Sequence, residues 1–380
     1  MTSVQADAKR GGQMEKLRFA VIGIKGIGRT HLRAIQGIED AQLVAVCDID
    51  EAAAQQAAAQ LGIRAYTDYE ELVKAEDIDV VTIATPHYLH MPMTVAALEA
   101  GKHVICEKPI AISIGEADRM IATARTPGRL LGICHNARTS PGNRALKELL
   151  APQQAGQLMR MVWISGGIRT QGYYDSAEWR GTWAQEGGGT LINQKVHDLD
   201  LICWLVGRPV EVLGITGNFV HKVERGIDTL ASALFRWENG AQGVFQGSIT
   251  DGAGQSHHEF HCERLAVFRG PEGIRVGRFA QNVKDFIRQA GRNDKLEVTW
   301  ETVQPPEAEA GHIAVFRQFI QAVRAGGRPL CPPEEARQAL ELVNAITLSA
   351  ARHRPVKLPL DATEYSAFLK EIRARAAFAL

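Results

Sequence analysis

The stretch Arg18-Phe19-Ala20-Val21-Ile22-Gly23-Ile24-Lys25-Gly26-Ile27-Gly28 decides how this chain is read. Arg18–Ile22 ends in an unbroken apolar run, the pattern of a strand buried on both faces. Glycines at 23, 26 and 28 then lead into a helix-type segment, Ile27–Gly37. A strand that turns tightly into a helix presents helix N-terminal amides to an anion. The dinucleotide form of this turn has glycine at its first, third and sixth positions. Gly23 and Gly28 hold the first and sixth, whereas the third is Lys25 and the next glycine is Gly26. The turn can still form, and an inward Lys25 would add a cation to it.

Working outward, the strand-type runs Leu43–Cys47, Val80–Ala84, His103–Cys106 and Leu130–Cys134 alternate with helix-type segments Glu51–Leu61, Met91–Ala100 and Ser113–Ala124. Apolar strands separated by helices imply a parallel sheet covered on both faces. Sheets of this kind bind ligands beyond the carboxyl ends of their strands. Asp48 ends the second strand, twenty residues after Gly28, where a carboxylate binds both adenosine ribose hydroxyls. Asp50 adds a second negative charge, and no arginine stands nearby to receive a 2′-phosphate. NAD is therefore the expected cofactor, held first by Gly23, Ile24, Lys25, Gly26, Ile27, Gly28 and Asp48. Two further strand ends carry Thr85-Pro86-His87-Tyr88-Leu89-His90 and Glu107-Lys108-Pro109. They put Thr85, Pro86, His87, His90, Glu107 and Lys108 on the same edge, although either histidine also reads as a plain helix N-terminal residue.

Lys108 is the focus of that edge. Pro109 fixes its own φ and restricts the residue before it, so the ammonium sits on a stiff segment. A lysine held this way beside a cofactor can donate a hydrogen bond, titrate, or stabilise an alkoxide.

Bulk properties narrow the function classes. A chain of 380 residues fits two domains. Lysine plus arginine equals aspartate plus glutamate, 43 each, so no basic field points to nucleic acid or an anionic membrane. No apolar run reaches the length of a bilayer span. Residues 1–16 read as a polar, disordered leader without the apolar core of a signal peptide, with Met14 as an alternative start. Six scattered cysteines with no Cys-x-x-Cys pair suit a reducing cytoplasm.

Past Asn136 the texture changes. Leu158–Ser165, Glu211–Gly217, Thr229–Arg236, Ala241–Ser248 and Leu296–Trp300 read as strands of a mainly antiparallel sheet. Gly187-Gly188-Gly189 precedes a helical run, Leu191–Leu205. His197, Asp200 and Trp204 share a face of that helix and Asn193 lies one turn earlier. On the residues alone, His197 and Asp200 are a buried pair that positions the helix. Lys195 reads as part of a solvated face. His257-His258-x-x-His261-Cys262 lies in a strand-like stretch whose alternation divides it between two faces, so no metal is expected there. His135, Asn136 and Arg138 end the strand Leu130–Cys134, where they fit either the nicotinamide end of the cofactor or a domain junction.

Taken together, the chain resembles the glucose-fructose oxidoreductase / inositol dehydrogenase (Gfo/Idh/MocA) family. The resemblance rests on Val21–His31, Asp48, Thr85-Pro86-His87-x-x-His90, Ala100-Gly101-Lys102-His103, Glu107-Lys108-Pro109, Trp179-Arg180-Gly181, the run Gly187–Asp200 and Arg354–Pro359. It implies an α/β architecture: an N-terminal Rossmann dinucleotide-binding domain over 17–136, then a C-terminal α+β domain over 137–380 with an open, mainly antiparallel sheet that serves substrate binding and oligomerisation. The resemblance further implies transfer of a hydride between NAD and a ring hydroxyl or ketone carbon of a sugar, cyclitol or sugar derivative. It makes Lys108 and His197 the working pair, and brings Trp179 and Arg180 to the nicotinamide end. Asn193 departs from the pattern, since many relatives carry aspartate there. An amide cannot ionise, so Asn193 is left to bind a substrate hydroxyl or orient His197.

The expected assignment is His197 as acid/base and Lys108 as electrostatic and relay partner, with Asn193 beside them. Arg169, Tyr173 and Tyr174 offer planar donors and aromatic faces to a sugar, although two tyrosines also suit a subunit interface. A polyol or sugar is the expected partner, with no nucleic acid or membrane, and a homodimer or homotetramer is the expected assembly. Two other functions stay open at this point: an NAD-dependent, redox-assisted glycosidase or lyase on the same scaffold, and a non-catalytic sugar or nucleotide sensor.

Overall fold

The computed structural model describes residues 15–125 and 128–377. The expected leader over 1–16 lies outside them except for Glu15 and Lys16.

Six strands form the first sheet: β1 (Leu17–Ile22), β2 (Ala41–Cys47), β3 (Arg64–Tyr66), β4 (Val80–Ile83), β5 (His103–Glu107) and β6 (Leu131–Cys134). Their order is β3-β2-β1-β4-β5-β6 and every pairing is parallel. The chain winds to one side of β1 and then restarts on the other side at β4. All carboxyl ends share one edge, and the crevice at this reversal lies between β1 and β4. The strands are apolar on both faces because helices cover both. On one face Phe19, Val21, Val80 and Ile105 pack against the helices Gly28–Gln36 and His312–Ala325 through Ile35, Phe316, Phe319 and Ile320. A strictly sequential division would give His312–Ala325 to the second domain, yet it completes the core of the first. Of the elements expected from the sequence here, Glu51–Leu61 has the same bounds and the others differ by one or two residues at an end, while β3 and the helix Tyr69–Lys74 were not expected.

The second sheet has nine strands: β7 (Leu158–Ser165), β8 (Glu211–Gly217), β9 (Leu230–Arg236), β10 (Gln242–Ser248), β11 (Ser256–Cys262), β12 (Leu265–Gly270), β13 (Gly273–Phe279), β14 (Val298–Val303) and β15 (Val356–Lys357). Their order is β14-β13-β12-β11-β7-β10-β9-β8-β15, antiparallel throughout except for β7 with β10. Strand alternation puts Met161, Trp163, Ala231, Ala233, Phe235, Phe245 and Phe260 on the face covered by the helices Val196–Val206 and Pro333–Arg352. Gly214 lets the second of these helices sit directly on β8, since a Cβ there would lie 2.6 Å from the Ile346 carbonyl oxygen. The opposite face is uncovered and presents Leu213, Ile215, Leu234, Val244 and Trp300. Among the described residues no helix is long and apolar enough to cross a membrane.

One local expectation changes. The single helix expected over Leu191–Leu205 is two, Thr190–Asn193 and Val196–Val206, interrupted at Gln194 and Lys195. At the break both the Gln194 and Lys195 N–H groups donate to the Thr190 carbonyl, at 3.0 and 2.8 Å. The histidine-rich strand divides as its period requires. His257 and His261 both meet Glu259 on the open face, at 2.8 and 3.3 Å, whereas His258 turns inward and stacks on Trp163 at 3.8 Å.

Candidate active site

The turn after β1 is shaped by backbone collisions that glycine avoids. Gly23 has φ +81° and a Cβ there would lie 2.7 Å from the Ala84 carbonyl oxygen. A Cβ on Gly28 would lie 1.9 Å from the Gly23 carbonyl oxygen, so the helix can start this close to the strand only with glycine at 28. Gly26, at φ +50°, faces open space. At the end of β2 the Asp48 carboxylate is aimed by two amides, Ile24 N–H at 3.1 Å and Asp50 N–H at 3.0 Å. A cradle free of side chains beside an oriented carboxylate fits a dinucleotide with an unmodified ribose. Lys25 does not reach into the cradle. Its ammonium pairs with Asp50 at 2.6 Å on the surface, while Asp50 also caps the helix Glu51–Leu61 through Ala53 N–H.

Beyond β4 and β5 the polar residues divide into inward and outward sets. His90 is fully buried, with its ring nitrogens at the Pro109 and Thr85 carbonyls, 2.7 and 3.0 Å away. It ties the two strand-end loops together and presents no edge to a cofactor, which corrects its place among the cofactor contacts. Glu107 is likewise internal: its Oε1 lies 2.8 Å from His31 Nε2 and 3.1 Å from His312 Nε2, and its Oε2 accepts from Lys108 N–H at 3.1 Å. Thr82 Oγ1 sits 2.7 Å from His31 Nδ1 and Asn136 Nδ2 sits 3.3 Å from His312 Nδ1. One neutral tautomer of each ring therefore satisfies every atom in the cluster. Burial works against the Glu107 charge, but the His31 and His312 hydrogen bonds outweigh it and hold the carboxyl well below its usual range. Glu107 thus fixes the backbone that carries Lys108 and its side chain is not left free for the cofactor, whereas Asn136 is half-buried and keeps its amide oxygen unengaged. Thr85 and Pro86 remain half-buried at the edge.

Lys108 points across to the second domain. Its Nζ donates to the Asn193 main-chain carbonyl at 2.9 Å and to Asn193 Oδ1 at 3.3 Å. Asn193 ends the short helix Thr190–Asn193, where main-chain carbonyls lack helical partners. The glycine run brings that helix this close. Gly187 and Gly189 pass where a Cβ would meet Ile112 at 2.6 Å and the Asp228 carbonyl oxygen at 2.0 Å. Asp228 then holds the helix start through Gly189 N–H and Leu191 N–H, at 3.1 and 2.7 Å. Burial lowers the Lys108 pKa from its ordinary value, although the Glu107 and Glu186 charges oppose the fall.

His197 opens the next helix. Burial, reinforced by the Lys108 charge, pushes its pKa well below the ordinary histidine value, so the imidazole is neutral at pH 7. Its Nδ1 has no hydrogen-bond partner among the described residues. His197 and Asp200 do not form the expected pair. Asp200 is gripped by Arg138 at 2.9 and 2.7 Å, and His135 lies between, 3.5 Å from Asp200 and edge-on to His197 with ring centres 5.9 Å apart. Arg138 and Asp200 anchor the helix beneath the site.

The Trp179-Arg180 segment closes over the first domain. Trp179 packs on His87 with ring centres 5.0 Å apart, and His87 Nδ1–H donates to the Glu186 carbonyl at 2.9 Å. The Arg180 guanidinium lies 4.1 Å over the Tyr173 ring and donates to its hydroxyl. That hydroxyl also receives Asn193 Nδ2–H at 3.0 Å and Gln194 Nε2–H at 2.9 Å, which joins the loop to Lys108. Arg169 is exposed beside the same ring, its carbonyl held by His221 Nε2–H at 2.8 Å. Tyr174 is buried edge-on to His221 with ring centres 5.2 Å apart, so it supports the loop from within and is corrected as a substrate contact. The solvated reading of Lys195 is also overturned. It is buried and donates to Ser165 Oγ at 2.9 Å.

Sequence reasoning missed three groups that organise this site: the buried His31 and Glu186, and the half-buried His312. His31 lies in the helix after the glycine turn and His312 far along the chain. The single cue for Glu186 is an acid standing directly before the glycine run.

Comparisons with known proteins agree with this geometry. Residues 17–135 match the model of an oxidoreductase family with an NAD-binding Rossmann fold, and residues 143–267 match that of the GFO/IDH/MocA C-terminal domain. The chain is 27% identical to the myo-inositol 2-dehydrogenase of Thermotoga maritima over 90% of its own length and 98% of that protein. It is also 27% identical to the D-apiose dehydrogenase of Paraburkholderia graminis, over 91% of its length and 90% of that protein. Among solved structures, the WlbA dehydrogenase of Bordetella pertussis in complex with NADH and UDP-GlcNAcA superposes with a TM-score of 0.77 at 27% identity, over 91% of this chain and 100% of that one. The chain belongs to the Gfo/Idh/MocA family of NAD-binding oxidoreductases.

Proposed function

We propose that this protein moves a hydride between NAD and a ring hydroxyl or ketone carbon of a sugar, cyclitol or sugar derivative, with Lys108 and His197 handling the proton. The observation that carries this reading is the tether of Lys108 Nζ to Asn193, which holds an ammonium at the seam between the cofactor edge and the aromatic loop. NAD, when bound, supplies the hydride acceptor. His197, neutral at pH 7, is competent to take the hydroxyl proton, and a lysine beside it favours that transfer by hydrogen-bonding the developing alkoxide. Asn193 fixes Lys108 and cannot itself ionise. Arg169, Arg180 and Tyr173 present planar donors and a ring face to the substrate, while Trp179 and His87 wall the site from solvent.

Inositol and apiose are the substrates named for two relatives, so inositols and branched or cyclic sugars head the candidates. The test is NADH formation measured at 340 nm across inositols, free sugars, glycosides and nucleotide sugars. Stoichiometric NADH with one class supports the proposal. Product without net NADH moves the reading to redox-assisted cleavage, and binding without product on every compound contradicts it.

We further propose that the protein works in the cytoplasm as a homodimer or homotetramer paired through the open face of the second sheet. Leu213, Ile215, Leu234 and Val244 line this face beside Arg160 and Arg236, too much apolar surface on long strands to leave in water. Sedimentation should give a species of at least twice the 41.5 kDa chain. Ile215→Lys with Leu234→Lys should dissociate it, and an unchanged oligomer in that variant would refute this interface.

A further inference from the structure

Glu186 takes no part in the chemistry above, yet it is buried against it. Its carboxylate is 1% exposed and has no salt-bridge partner among the described residues. Oε2 accepts from Gly181 N–H at 2.5 Å and Oε1 accepts from Asn193 Nδ2–H. A buried carboxylate ordinarily meets a cation directly. Here the connection to one runs through a side-chain amide, because Asn193 Oδ1 accepts from Lys108 Nζ at 3.3 Å. The ammonium is only a donor and an ionised carboxylate only an acceptor, so the amide spans them in a single orientation. The second bond from Lys108, to the Asn193 main-chain carbonyl, stops the amide from swinging away.

We propose that Glu186 governs the charge of Lys108 through the Asn193 amide. Ionised, it holds Lys108 as the ammonium that donates to the substrate oxygen; protonated, it frees Lys108 toward the neutral amine. Glu186 is thus a positioning residue, and the proposal rests on Lys108 being the group that meets substrate.

The surrounding charges leave Glu186 as the group able to switch. Facing Lys108 are Glu107, Glu186, Cys134 and Arg180, with His87, His90, His135 and His197 around them. Glu107 stays ionised through its two histidines, Cys134 is held protonated by burial, burial keeps His87, His135 and His197 neutral, and it lowers His90 from the ordinary histidine value against the pull of its two carbonyl bonds. Facing Glu186 are Arg180, which favours its charge, and Asp228, which opposes it, with Tyr173 and Tyr174 nearby. Burial raises Glu186 to about 7, so both of its forms are populated near neutrality.

The test titrates Lys108 directly, without turnover. The full chain is labelled by acetic anhydride as a function of pH, and Lys108 acetylation is read by mass spectrometry with the surface lysines as internal reference. In Glu186→Gln the Lys108 midpoint should fall by about one unit, since a nearby negative charge that favoured the ammonium is gone. In Asn193→Asp it should rise, because a carboxylate then lies next to Nζ. The double variant Glu186→Gln with Asn193→Asp should return toward the wild-type value. An unchanged Lys108 midpoint in folded Glu186→Gln overturns the proposal. Should Glu186→Gln fail to fold, an unmoved midpoint in Asn193→Asp overturns it equally, because the amide bridge is then irrelevant to the charge. The shift with no turnover on any compound would sink the proposed reaction and leave this coupling standing; turnover without the shift does the reverse.

Discussion

Lys108→Ala should lose roughly a thousandfold in kcat on the best substrate while binding NADH within a few-fold of the unmodified protein. The loss corresponds to about 4 kcal/mol of transition-state stabilisation. It is this large because the lysine would serve twice, as hydrogen-bond donor to the alkoxide and as the charge that makes the hydroxyl proton easier to remove. The cofactor should be little affected, since the glycine turn and Asp48 lie at the other end of the crevice and share no hydrogen bond with Lys108. His197→Asn should cost about a hundredfold through loss of the base alone. The check is steady-state kinetics beside an NADH fluorescence titration and a melting curve. Full activity in both variants contradicts the mechanism, whereas loss of NADH binding in Lys108→Ala would show that the lysine is a cofactor contact.

Gly28→Ala should remove NAD binding and lower stability by about 3 kcal/mol. The added Cβ would stand 1.9 Å from the Gly23 carbonyl oxygen, a contact with backbone that no rotamer relieves. The helix Gly28–Gln36 would have to move off β1, taking with it His31 and the bond that holds Glu107. The damage therefore spreads from the turn to the segment carrying Lys108. Gly26→Ala is the matched control. Gly26 faces open space at φ +50°, so its alanine variant should fold with a cost limited to that backbone conformation. Calorimetry and NADH titration on both variants test this. Equal NADH affinity in Gly28→Ala and the unmodified protein would contradict the close strand–helix turn.

The parallel sheet was legible because five of its six strands declare themselves locally, by an apolar run that stops at a polar turn; the short edge strand β3, Arg64-Ala65-Tyr66, carries no such run. Asp48 and Lys108 were legible for the same reason, as polar residues at strand ends. What escaped reading depends on contacts between distant segments. Glu107 looks outward-facing in sequence, but His312, 205 residues away, comes back with a late helix and closes it in. Asp200 looks paired with His197 by helical spacing, but Arg138, 62 residues earlier, holds both its oxygens. Lys195 was misplaced by a change of phase. A continuous helix from Leu191 would put it in solvent, and the interruption at Gln194–Lys195 turns it under the sheet to Ser165. Tyr173 and Tyr174 carry the same local signal, and only the packing of the loop decides that the first faces the site and the second the core.

The most direct test of the central claim is a crystal structure of the protein with NADH and the best polyol from the substrate panel. The account predicts the Lys108 ammonium and the His197 ring both at hydrogen-bond distance, about 3 Å, from one ring oxygen. The carbon bearing that oxygen should face the nicotinamide. A polyol bound elsewhere, with Lys108 still engaged only by Asn193 and His197 touching no substrate atom, would contradict it.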